Sequence, residues 1–89
     1  MQKVVSALKL AYKEKMRQIG LNISYYRRYR EMTQIQLAER VNVSSCYISQ
    51  IERGLVKNAV SLPVLISIAE ALHIEMAVLF QFQDLPTQK

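Results

Sequence analysis

Apolar residues recur along this chain at intervals of three and four, the spacing of one face of an α-helix. Val5, Leu8, Tyr12, Met16, Ile19, Ile23 and Tyr26 form an unbroken series of such steps. Gly20 is the weak point in that series, since glycine in a helix interior costs about 1 kcal/mol relative to alanine. Residues 3–31 are therefore either two helices meeting near Gly20 or one long helix. Apolar and polar residues nowhere alternate as a half-buried strand requires, and two Gly and two Pro are too few to punctuate hairpins.

The polar residues between the apolar runs mark where helices begin and end. Thr33 is placed to cap a second helix, its hydroxyl accepting a first-turn N–H, with Gln36 completing a capping box. Leu37, Ala38 and Val41 supply the apolar face of that helix. Asn42 follows at a sharp turn, where its tolerance of the left-handed backbone is useful. Ser44 caps a third helix, which runs to Arg53 and stops at Gly54. At about 100° per residue its inner face carries Ile48, Ile51 and the stem of Glu52. Residues 54–61 form a loop. Ser61 caps a fourth helix in which Pro63 is harmless, because first-turn N–H groups have no helical partner. Leu62, Leu65, Ile68, Ala69 and Leu72 line one side of it. A short fifth helix from Glu75 to Phe80 offers Met76, Leu79 and Phe80. The tail from Gln81, with Pro86, reads as frayed.

Composition adds the chemistry. At 89 residues and 10.3 kDa there is room for one domain, and 51% hydrophobic with 21% charged residues is ordinary globular composition. The net charge of +5 and sequence pI near 9.6 point to an anionic partner. The charge is concentrated: residues 1–30 hold eight Lys/Arg against Glu14 alone, residues 31–57 are balanced, and residues 58–89 carry three acids against one Lys. A single Cys excludes an internal disulfide and fits a reducing cytoplasm. One Cys and one His leave too little for a zinc site or a Cys–His nucleophile, so neither a cofactor nor an enzymatic activity is expected. No apolar run reaches the roughly 20 residues of a membrane span. Lys9 and Lys13 interrupt what would be the apolar stretch of a signal peptide.

The segment from Gln34 to Gly54, QIQLAERVNVSSCYISQIERG, resembles the helix-turn-helix of the phage repressor and Cro (XRE-like) family of DNA-binding domains. Gln34 opens the first of the paired helices, Leu37-Ala38 lies where they cross, and Val43-Ser44 ends the turn. Ile48 and Ile51 seat the second helix, and Glu52-Arg53-Gly54 closes the unit. Upstream, Ile23, Tyr26 and Arg27 match the family's first helix. Downstream, Leu65, Ile68, Ala69, Leu72, Ile74 and Leu79-Phe80 match its last two. The similarity spans about Ile19 to Phe80. Two glycines frequent in the family are replaced, by Asn42 in the turn and by Glu31 before Met32. Residues 1–18 lie outside it, so the resemblance implies an N-terminal helical extension (1–18), a helix-turn-helix domain (19–80) and a flexible C-terminal tail (81–89).

The resemblance implies an all-α, five-helix repressor-type helix-turn-helix domain with an additional N-terminal helix. It also implies roles. In a recognition helix laid in a groove about 12 Å wide, Cys46, Gln50 and Arg53 point away from the buried face, with Tyr47 and Ser49 on its flanks. Gln50 is suited to pair bidentately with adenine, and Ser45 and Ser49 to donate or accept. Cys46 either meets a thymine methyl or is a small exposed residue. Gln34 is implied to contact phosphate and brace the next helix. Arg53, Lys57 and Asn58 are candidate phosphate ligands, and Tyr47 either lies on the sugar-phosphate or packs on a neighbouring helix. Arg27 and Glu52 are implied to form a structural ion pair. Arg28 and Arg30 either add to the phosphate-facing field or form a solvated face. His73 ends the fourth helix, where it suits the helix dipole.

The function so implied is a sequence-specific, double-stranded-DNA-binding transcriptional regulator, a cytoplasmic homodimeric repressor of bacterial or phage type. Two alternatives remain at this level: an antitoxin that also binds its own operator and a partner toxin, or a protein-interaction adaptor on the same fold. A membrane partner for the basic segment 3–17 is disfavoured, since its apolar face continues into the domain's core stripe.

Overall fold

A computed structural model describes residues 2–56 and 60–81, with side chains from Ala11 onward. These residues form five helices and no strand: α1 (Gln2–Tyr29), α2 (Gln34–Val41), α3 (Ser45–Glu52), α4 (Leu62–Leu72) and α5 (Met76–Leu79). The alternative left open near Gly20 resolves into one continuous helix. Residues 2–18 are the N-terminal part of α1. At 1.5 Å per residue α1 is about 42 Å long, and the longest extent of the molecule is also 42 Å.

Each cap residue read from the sequence holds its helix. Thr33 Oγ1 accepts the Gln36 N–H at 3.0 Å while Gln36 Oε1 accepts the Thr33 N–H at 2.8 Å. Ser44 Oγ accepts from Tyr47 N–H at 3.0 Å and Ser61 Oγ from Val64 N–H at 3.3 Å. The opposite ends share one device. Glu31, Asn42, Gly54 and His73 follow α1, α2, α3 and α4, all with positive φ (58°, 65°, 71° and 58°). In each case the next residue's N–H reaches back to a carbonyl five residues earlier, as from Met32 to Arg27 and from Ile74 to Ala69. The left-handed residue reverses the chain and satisfies carbonyls the helix leaves unpaired.

The core is built from Ile19 and Ile23 of α1, Leu37 and Ala38 of α2, Ile48 and Ile51 of α3, Leu65, Ile68, Ala69 and Leu72 of α4, Leu79 of α5, and Val60. Helix α1 packs chiefly on α3 and also touches α4 and α5, while α2 packs on α3 and α4. Two residues expected on inner faces are exposed. Leu62 is in the first turn of α4, where side chains lean towards the N-terminus and beyond the packed surface. Phe80 falls just past the end of α5 and is also exposed.

Candidate nucleic-acid interface

The position of α3 is set by a polar cluster at its C-terminal end. Glu52, 6% exposed, accepts from Arg27 Nε at 2.6 Å on Oε2 and from Arg27 Nη2 at 3.0 Å on Oε1. Gln34 Nε2 donates to the same Oε1 at 3.0 Å. The remaining Arg27 nitrogen, Nη1, donates to the Met32 carbonyl at 2.7 Å. One carboxylate thus ties α1, the start of α2 and the end of α3 together, and the guanidinium braces the turn after α1. Two charges are tolerated here because the fork is bidentate and its other donors are satisfied. Among the described residues no buried side-chain nitrogen or oxygen lacks a partner.

Below this cluster α1 crosses α3 in close contact. A Cβ built on Gly20 would collide with the Ile51 carbonyl oxygen and lie 2.8 Å from that of Glu52. One turn earlier, the Arg17 backbone lies against Gly54, whose built Cβ would sit 3.1 Å from Arg17 Cα.

Ile48, Ile51 and Glu52 therefore fix one side of α3, and the other side is presented to solvent. Ser45, Cys46 and Gln50 are exposed, as is Arg53 at the helix end. Cys46, Gln50 and Arg53 follow one line at steps of four and three, with Ser45 and Ser49 on an adjacent one. Ser49 is half-buried, and so is Tyr47, which packs against the core. Gln34 is drawn away from this row, its amide nitrogen committed to Glu52. Lys57 and Asn58 lie outside the described residues.

Several contacts are not announced by the sequence pattern. Arg30 turns from the solvent field onto the end of α4, donating to the carbonyls of Leu72 at 2.7 Å and His73 at 3.1 Å. Asn22 does the same for α5, donating to Leu79 O at 2.9 Å and Gln81 O at 3.1 Å. Tyr26 packs against the core, and Tyr25 meets it edge-on with ring centroids 4.9 Å apart. Among the described residues no cluster of His, Cys, Asp and Glu could hold a metal ion, and no helix is long and apolar enough to cross a membrane.

Residues 23–79 match the helix-turn-helix family. The chain is 39% identical over 59 residues to the immunity repressor protein of Bacillus phage phi105, over 66% of this chain and 40% of that protein. It thus spans about two fifths of the length of that repressor. The fold is similar to that of the restriction-modification controller protein C.AhdI from Aeromonas hydrophila, with TM-score 0.68 and 29% identity over 73% of this chain and 96% of the other. It is similar too to the clp gene regulator ClgR from Corynebacterium glutamicum (TM-score 0.68, 31% identity, 72% and 66% covered). The biofilm master regulator SinR, solved in complex with DNA, gives TM-score 0.65 and 32% identity over 71% of this chain and 98% of its own. With the paired helices α2 and α3 and the matched residues 23–79, the chain belongs to the helix-turn-helix family of DNA-binding domains, in its phage-repressor (XRE-like) branch.

Proposed function

We propose that this protein binds a specific double-stranded DNA site as a homodimer and represses transcription by occluding it. The observation that carries the reading is the two-sidedness of α3. One side is locked by Ile48, Ile51 and the Arg27–Glu52 pair, and the other presents Ser45, Cys46 and Gln50 on a rigid base. Base readout needs such rigidity, because a bidentate amide–adenine pair tolerates little error in position.

In this reading Gln50 reads adenine, Ser45 and Ser49 contact neighbouring base edges, and Cys46 meets a thymine methyl. Gln34, Tyr47, Arg53, Lys57 and Asn58 contact phosphates. Because its amide nitrogen serves Glu52, Gln34 meets phosphate through its own backbone N–H at the start of α2. The apolar spacing of Val5, Leu8 and Tyr12 supports dimerisation, since Tyr12 is exposed and the same spacing continues into the core.

Selection of bound fragments from random duplex DNA tests the reading. A two-fold symmetric motif is expected, with half-sites spaced by whole helical turns. Binding should weaken with salt at a log–log slope of about −0.9 per phosphate neutralised. Enrichment of no motif together with a flat salt response would replace this reading with a protein-interaction adaptor.

A further inference from the structure

The line of α1 that faces α3 does not end where α3 ends. Arg27, which holds Glu52, and Gly20, which lies against the carbonyls of Ile51 and Glu52, are seven residues apart on one side of α1. Seven residues bring a helix back to within about 20° of the same direction, so the next position on this line is Lys13. Lys13 is exposed, and among the described residues it makes no ion pair or hydrogen bond. Between Gly20 and Lys13, Arg17 sits with its backbone against Gly54, immediately after Arg53. From Met16 back to Gln2 the helix continues for about 22 Å at 1.5 Å per residue, and residues 11–15 are all exposed. The domain does not cover residues 11–15.

The net charge of this part of α1 is positive. Glu14 is the single acid in residues 1–30, and it pairs with Arg17 at 3.1 Å on the surface, each side chain more than half exposed. The hydrogen bond and charge of Arg17 hold the Glu14 carboxyl below its usual range. An exposed pair at this spacing contributes little to stability, so it leaves Arg17 able to exchange Glu14 for a phosphate. Lys13, Arg17 and Arg53 therefore make a cationic run that begins at the end of α3 and leaves along α1.

We propose that the overhanging half of α1 is a second phosphate-binding element. Lys13 and Arg17 lie along the DNA backbone beside the groove that α3 enters, and extend the footprint beyond that of the helix-turn-helix itself. This rests on the DNA-binding reading above. Charge complementarity and continuity with the α3 surface favour DNA as the occupant. A second copy of this chain would bring another array of Lys and Arg to the same line and be repelled there. The apolar line through Tyr12 lies about 100° away around α1 at 100° per residue, so the two surfaces do not compete.

The test uses the full chain and fluorescent duplexes, one carrying the selected site and one of random sequence. Salt titrations are run on the wild type, Lys13→Gln, the double variant Lys13→Gln/Arg17→Gln, and Lys15→Gln on the opposite side of α1. Thermal melts establish that each is folded, as expected for exposed positions. Lys13→Gln should flatten the log–log slope by about 0.9 per bound protomer, and the double variant by about twice that, on both duplexes alike. Between 50 and 200 mM salt each lost contact makes the fall in affinity roughly threefold smaller per protomer. Lys15→Gln should leave the slope unchanged. Wild-type slopes in all variants, or equal flattening by Lys15→Gln, overturn the proposal while the DNA reading stands. Loss of dimer mass in Lys13→Gln with an unchanged slope assigns this line to a second copy and overturns it equally. A wild type that binds neither duplex overturns both readings together.

Discussion

Gly20 of α1 lies directly under the Ile51 carbonyl of α3, at a separation that leaves no room for a β-carbon. Viewed along α1 alone, glycine at this position only weakens a helix. Across the contact, it is what lets two backbones meet and sets the height at which α3 sits. Gly20→Ala should therefore destabilise the protein, although alanine is the better helix former. Overpacking at a fixed contact costs typically about 1–3 kcal/mol, against a helix-propensity gain of about 1 kcal/mol. The obstacle is backbone carbonyl rather than a flexible side chain, so the loss should win. Chemical denaturation of the two proteins decides it, and a more stable Gly20→Ala protein would refute the account.

The Arg27–Glu52 pair gives a prediction with two arms. Both side chains are buried, and removing one charge strands the other. Such losses cost about 3–5 kcal/mol, a large part of the roughly 5–15 kcal/mol that holds a domain together. Arg27→Met and Glu52→Leu should each unfold the protein or lower its midpoint sharply. The double variant, with neither charge left to strand, should regain much of the loss. It should not regain all of it, because Met32 O and the Gln34 amide lose their partners too. Denaturation midpoints of the three variants form the cycle, and strict additivity would show that the pair is not coupled.

Helix positions and their starts were legible because the signals are local. Thr33, Ser44 and Ser61 each lie next to the turn they cap, and Ile48 with Ile51 declares an inner face at helical spacing. The exposed row Cys46, Gln50 and Arg53 follows from the same periodicity. Left-handed ends were legible only where the residue type suggests them: Asn42 and Gly54 do, Glu31 and His73 do not. The roles of Gly20, Asn22 and Arg30 depend on carbonyls 31, 57 and 42 residues away, which no local pattern encodes. The bracing role that the resemblance implies for Gln34 comes down to a single hydrogen bond to Glu52.

Glu31 offers a stabilising change. Its φ of 58° is the left-handed backbone that glycine adopts freely and a residue with Cβ adopts at a cost. Its N–H bonds to Arg28 O at 2.9 Å and the following Met32 N–H to Arg27 O at 3.0 Å, both through the backbone. Glu31→Gly keeps these bonds and relieves the strain, less the extra chain entropy glycine loses on folding. The net should be a gain of about 0.5–1 kcal/mol, or a few degrees in Tm for a domain of this size. Glu31→Val, β-branched in the same backbone, should move Tm the other way. Thermal melts of both variants check the sign.

Gln50 should carry sequence preference rather than gross affinity. It is exposed on α3, opposite Ile48 and Ile51, and its side chain supports no element of the fold. Gln50→Ala should therefore leave the melting temperature within the small range of surface substitutions, about ±0.5 kcal/mol. The amide is neutral and releases no counterion, so binding to random duplex and its salt slope should persist. What should go is a bidentate contact worth about 1–3 kcal/mol of discrimination, lost once in each half-site of a two-fold complex. Affinity for the selected site should thus fall about tenfold for each 1.4 kcal/mol lost, with affinity for random sequence unchanged. Ser45→Ala and Ser49→Ala should shift the same ratio less, because a hydroxyl distinguishes bases poorly. Competition of selected against random duplex at one salt concentration measures that ratio directly. If Gln50→Ala keeps the wild-type ratio, the site is read by Tyr47, by Cys46 or through DNA shape.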